Sequence, residues 1–136
     1  MSSLVVGFDG TDGARVALRA AAQVARELDA GLVVVFSHAT SRLGGEVRDY
    51  DDALREHRAG VLAQAAGLVG DVPVQTESLD LDPVAGLLDA AERHDARMIV
   101  VGSYGEAPLM SALVGSTPTK LLHLSPRPVL VIPAGR

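Results

Sequence analysis

The sequence predicts a doubly wound α/β fold, in which a five-stranded parallel sheet carries helices on both faces. Three observations predict it. Five short runs rich in Val, Leu and Ile alternate with four stretches whose apolar residues recur at helical spacing. Three of those runs, 32–36, 98–101 and 129–132, are apolar throughout, the pattern of strands covered on both faces. The 136 residues include 20 Ala but only four aromatics (Phe8, Phe36, Tyr50 and Tyr104), which suits helices packed closely on a sheet.

The elements follow in order. Residues 4–8 form the first strand and end in the turn signal Asp9-Gly10-Thr11-Asp12-Gly13. Ala17, Ala20, Ala21, Val24, Ala25 and Leu28 then mark one face of a helix, with Thr11 or Asp12 placed to cap it and Gly31 to end it. Residues 32–36 are the second strand. A polar loop over 39–49 leads to a second helix over 50–69, whose inward stripe is Leu54, Val61, Ala65 and Leu68. Residues 72–78 alternate apolar with polar around Pro73, the pattern of an edge strand. Asp82-Pro83 starts the third helix, with Val84, Leu87, Leu88 and Ala91 facing inward. Residues 98–101 make the fourth strand. Gly115-Ser116-Thr117-Pro118 opens a short helix, and Val129–Ile132 closes the chain as the fifth strand. No repeat or linker interrupts 1–136, so one domain is expected.

Charge and composition narrow the function. A net charge of −5 and a pI near 5.2 argue against nucleic acid, which needs a basic face. With no cysteine there is no disulfide, zinc–thiolate site or thiol nucleophile. No apolar stretch approaches the ~20 residues that span a bilayer, and no signal-peptide pattern precedes the first strand, so a soluble, cytoplasmic protein is expected.

In open parallel sheets ligands bind beyond the carboxyl ends of the strands, where strand order reverses. Two glycine-rich segments lie at such ends. The first, Gly7, Gly10 and Gly13 around Asp9, is neither a dinucleotide fingerprint nor a Walker loop. Asp9 suits either a turn or a hydrogen bond to a sugar hydroxyl or base amine. In the second, Gly102 and Gly105 precede Gly115-Ser116 in the pattern G-x-x-G-x9-G-[ST]. It suits either a strand–helix connection capped by Ser116 or Thr117, or a set of N–H groups and hydroxyls converging on an anion. Asp49, Asp51 and Asp52 read as the solvated first turn of a helix, and His38 as a residue shaping the pocket; His57, His94 and His123 read as surface or helix positions.

These segments, with Phe36-Ser37-His38-Ala39, Asp82-Pro83, Val100-Val101-Gly102-Ser103 and Pro128-Val129-Leu130-Val131-Ile132-Pro133, make the whole chain resemble the universal stress protein family, in its nucleotide-binding branch. The resemblance implies a Rossmann-like sheet of order 3-2-1-4-5 and a site for ATP or AMP, with cyclic AMP and Mg²⁺ as further candidates. On that match Phe8 and Asp9 flank the adenosine, Gly7 belongs to the same binding site, and the backbone of Ala39 meets the adenine. Val101 and Gly102 line the ribose and base side; Tyr104, Gly105, Gly115, Ser116 and Thr117 surround the phosphates. Glu106 stands where triphosphate-binding relatives often carry a basic residue, Pro118 where a Ser or Thr is common, and Leu81 where a glycine is usual. The resemblance also implies a homodimer paired through Val129–Ile132, an apolar strand that is hazardous if left bare. The function expected is a small regulatory or stress-response module without clear catalysis. A weak ATPase and a protein-interaction dimer with a vestigial pocket are the alternatives.

Overall fold

The computed structural model describes residues 1–39, 48–103 and 115–133. Strands and helices alternate: β1 (Ser3–Gly7), α1 (Asp12–Leu28), β2 (Gly31–Ser37), α2 (Arg48–Ala66), β3 (Val74–Leu79), α3 (Pro83–Arg93), β4 (Met98–Gly102), α4 (Ser116–Leu124) and β5 (Val129–Ile132). The sheet order is β3-β2-β1-β4-β5 and each pairing is parallel, as expected.

Side-chain alternation along the strands divides the core in two. Leu4, Val6, Leu32, Val34 and Val100 face α1 and α2, meeting Leu18, Ala21, Ala25, Val61, Leu62 and Ala65. Val5, Val33, Val35, Ile99 and Val101 face the other way, against Val84, Leu87, Ala90 and Ala91 of α3 and Leu121 of α4. Burying each such Leu or Ile is worth about 2 kcal/mol. The alanines of α1 let its backbone lie close to the sheet, where larger side chains would hold it off.

Local chemistry sets the helix ends. Thr11 caps α1, its Oγ1 accepting from the Ala14 N–H at 3.3 Å, and Asp82 caps α3, with Pro83 in the first turn. Two expectations are corrected. Gly31 does not end α1. Asp29 does, in the left-handed conformation (φ 53°) that Asp tolerates, and Gly31 begins β2 instead. A Cβ on Gly31 would lie 3.2 Å from the Pro73 carbonyl oxygen. Helix α2 stops at Ala66, leaving Leu68 and Val69 to pack on the core from the turn that follows. The edge position expected of the third strand holds: β3 and β5 are the two borders of the sheet.

Candidate functional site

A cavity of about 230 Å³ opens at the carboxyl ends of β1, β2 and β4, the reversal point of the sheet. Gly7, Phe8, Asp9, Val101, Gly102, Gly115, Ser116 and Thr117 all line it, so eight of the eleven sequence-predicted positions come together. Ala39 does not; it is exposed beyond the end of β2 and outside the lining. Tyr104 and Gly105, like Glu106, lie outside the described residues. Ala14, Val35, Ser37, Pro83, Leu87 and Pro118 complete the wall. Of these, Val35 and Leu87 carried a signal only as core residues, since strand parity and helical spacing do not reveal which core positions border a cleft.

The loop after β1 is held by Asp9. Its Oδ1 accepts from the Thr11 N–H at 3.0 Å and from Thr11 Oγ1 at 2.6 Å, and Thr11 in turn caps α1. The turn role weighed for Asp9 is therefore present, on one carboxylate oxygen. Gly10 takes φ +84°, with Val61 of α2 packed where a Cβ would point. Gly7 is small for a reason as well: a Cβ there would meet Leu87 Cδ1 at 3.3 Å and Val101 Cγ1 at 3.4 Å, inside the cleft wall.

On the far side, Gly115 is the N-cap of α4 and no side chain caps the helix, so the capping role considered for Ser116 and Thr117 is not what they do. The Gly115 N–H donates to the Ser103 carbonyl at 2.6 Å. Pro118 has no N–H. The Ser116 and Thr117 N–H groups are left without intrahelical acceptors at the positive end of the helix, and both residues line the cleft.

At the outer wall, Ser37 Oγ donates to the Leu81 carbonyl at 2.6 Å and lies 3.2 Å from that of Asp82, joining the end of β2 to the start of α3. Phe8 is 2% exposed and part of the α1/α2 core, so it offers no open ring face. The apolar part of the cleft is aliphatic: Val35, Leu87, Val101 and the ring of Pro83. Among the described lining residues Asp9 is the one ionisable side chain, and no Lys or Arg joins them.

His38 does not shape the cleft; it is exposed, tied by its N–H to the Leu79 carbonyl. Of the other histidines, His57 meets Phe36 edge-on at 6.3 Å and His94 pairs with Glu77. Among the described residues no three His, Asp or Glu side chains cluster to hold a metal, and no helix is long and apolar enough to cross a membrane.

This arrangement can hold a flat apolar group against aliphatic walls and an anion against one helix terminus. Comparison with known proteins meets the same fold and adds a lineage. A profile of the universal stress protein family matches residues 1–133. The chain belongs to that family. The universal stress protein YxiE of Bacillus subtilis is 30% identical over 145 residues, which cover 96% of this chain and 98% of YxiE. A universal stress protein structure from Archaeoglobus fulgidus in complex with dAMP is 26% identical, covers 97% of this chain and 98% of its own, and superposes with a TM-score of 0.73. A universal stress protein solved in complex with cAMP shares the fold at 22% identity, with a TM-score of 0.72 and 98% of each chain covered. Longer mycobacterial universal stress proteins match at 45% identity over 49 residues, which are 36% of this chain and 17% of theirs. The chain therefore spans well under two thirds of those relatives.

Proposed function

We propose that this universal stress protein binds an adenine nucleotide (ATP, AMP or cyclic AMP) in the cleft between β1 and β4, as one regulatory or stress-response domain of the cytoplasm that turns its ligand over slowly or not at all. The observation that carries the reading is the pairing, in one cavity, of an aliphatic wall with the open N-terminus of α4. Adenine fits between Val35, Pro83, Leu87 and Val101, and a phosphate fits the Ser116 and Thr117 N–H groups and hydroxyls. The Asp9 carboxylate has one oxygen left to accept from a ribose hydroxyl or to share a Mg²⁺ with a polyphosphate. The dAMP and cAMP complexes of family relatives support the choice of ligand class.

The reading includes a homodimer paired through β5. Every residue of this border strand is half-buried, and the neighbouring α4 exposes Leu122 (58%) and Leu124 (61%).

Mass spectrometry of what co-purifies, followed by calorimetry with ATP, AMP and cyclic AMP with and without Mg²⁺, tests the ligand. Micromolar binding of at least one is expected, and binding of none overturns the reading. Phosphate release that scales with protein and disappears in Asp9→Ala would move the chain to the weak-ATPase class.

A further inference from the structure

The α1/α2 side of the sheet holds a charge that the cleft does not touch. Arg58 of α2 is only 7% exposed. Its Nη2 donates to the His38 carbonyl at 2.7 Å, and its guanidinium carbon lies 5.7 Å from the centre of the Phe36 ring. Its Nε is buried without a hydrogen-bond partner, and among the described residues no carboxylate pairs with it.

A guanidinium so placed is a poor way to fasten a helix to a sheet. Its desolvation costs more than one neutral acceptor and one ring face return, and an apolar chain of similar volume would hold α2 at least as well. What Arg58 supplies that an apolar chain cannot is a simultaneous grip on Phe36 and His38. These are the two neighbours of Ser37, which lines the cleft and fastens the Leu81 and Asp82 carbonyls ahead of Pro83. The connection runs from α2, through the end of β2, to the cleft wall on the opposite face.

We propose that Arg58 is a positioning residue for the nucleotide cleft. It sets the backbone of β2 at Ser37 and, through Ser37, the start of α3. The ligand half of this inference rests on the adenine-nucleotide reading; the wall half is readable without any ligand.

The test uses the full chain with Arg58→Met and Arg58→Lys. Thermal melts, backbone amide resonances of the ligand-free protein and calorimetry with AMP are measured for each. R58M is expected to melt at or above the parent temperature. The amides of Ser37 and Val84 shift, Val84 because its N–H bonds to the Asp82 side chain. AMP affinity falls roughly tenfold. R58K, which keeps a cationic donor on the same helix face, is expected to recover most of the affinity.

An R58M protein that fails to fold overturns the proposal, because the charge is then structural. So does an R58M that perturbs only α2 resonances and leaves Ser37, Val84 and AMP affinity unchanged, or a joint loss of melting temperature and affinity that R58K does not restore. If the parent binds no AMP, the ligand reading fails by itself. The Ser37 and Val84 resonances of R58M then decide whether Arg58 sets the wall.

Discussion

Gly86 and Ser37 approach so closely that no side chain fits at position 86: a Cβ there would lie 1.8 Å from Ser37 Oγ and 2.5 Å from Ser37 Cβ. Helix α3 can reach the end of β2, and so form the outer wall of the cleft, only because this residue is glycine. Gly86→Ala therefore forces the helix outward. A loss of about 1–3 kcal/mol in urea unfolding is expected. Removing the Ser37 side chain relieves the clash, so a double-mutant cycle with Ser37→Gly yields a favourable coupling of at least about 1 kcal/mol. Additive losses would show that the contact is not what limits the site.

Asp9 is tested by two variants that part its roles. Asp9→Asn keeps an oxygen for the two bonds from Thr11 and is expected to stay within about 0.5 kcal/mol of the parent in chemical denaturation. Asp9→Ala loses both bonds and about 1–2 kcal/mol with them. If AMP binds the Asn variant as tightly as the parent, Asp9 serves the ligand by shaping the loop rather than by its charge.

The absence of Lys and Arg from the described lining bears on phosphate number. Two N–H groups without intrahelical acceptors and two hydroxyls among the described residues match one phosphate, and each further phosphate adds negative charge near Asp9. Calorimetry is expected to show ATP binding that tightens at least tenfold on adding Mg²⁺, and AMP binding that barely responds to it. Equal ATP affinity with and without Mg²⁺ would contradict this account of the anion site.

Acid should loosen the β3 border. Glu77 accepts from Arg93 Nη2 at 2.5 Å and pairs with His94. The hydrogen bond from Arg93 is the main reason its carboxyl titrates below the ordinary 4.5; partial burial pulls the other way, and the His94 bond helps less. A carboxyl whose folded value is depressed contributes stability that is fully present above the unfolded value and is lost as pH falls through the folded one. Melting temperatures should therefore drop below about pH 4.5, and Glu77→Gln should flatten that acid limb while lowering stability at neutral pH. An unchanged limb in the variant would assign acid sensitivity to other carboxylates.

Much of the fold was legible because its determinants are local. The all-apolar runs at 32–36 and 98–101 announce central strands, and Asp82-Pro83 and Thr11 announce helix starts, through chemistry contained within a few residues. The cleft was legible where glycines at strand ends signalled it. What escaped depends on contacts distant in sequence. Ser37 matters through carbonyls 44 and 45 residues away, Gly86 through Ser37, and Arg58 through a carbonyl 20 residues earlier. Gly31 misled because glycine serves a helix end and a tight strand start equally well.

The two borders of the sheet differ in a way that limits how copies can stack. β3 presents Gln75, Thr76 and Ser78 to solvent and is braced by the Glu77–Arg93 ion pair, whereas β5 reads Val-Leu-Val-Ile. Polar, charge-braced borders resist strand addition, and aliphatic ones invite it. A sheet with a single inviting border has a valence of one. In the proposed dimer, pairing β5 against β5 would use up that valence on both copies and leave the polar β3 borders outside, a ten-stranded pair with no inviting edge for further strand addition.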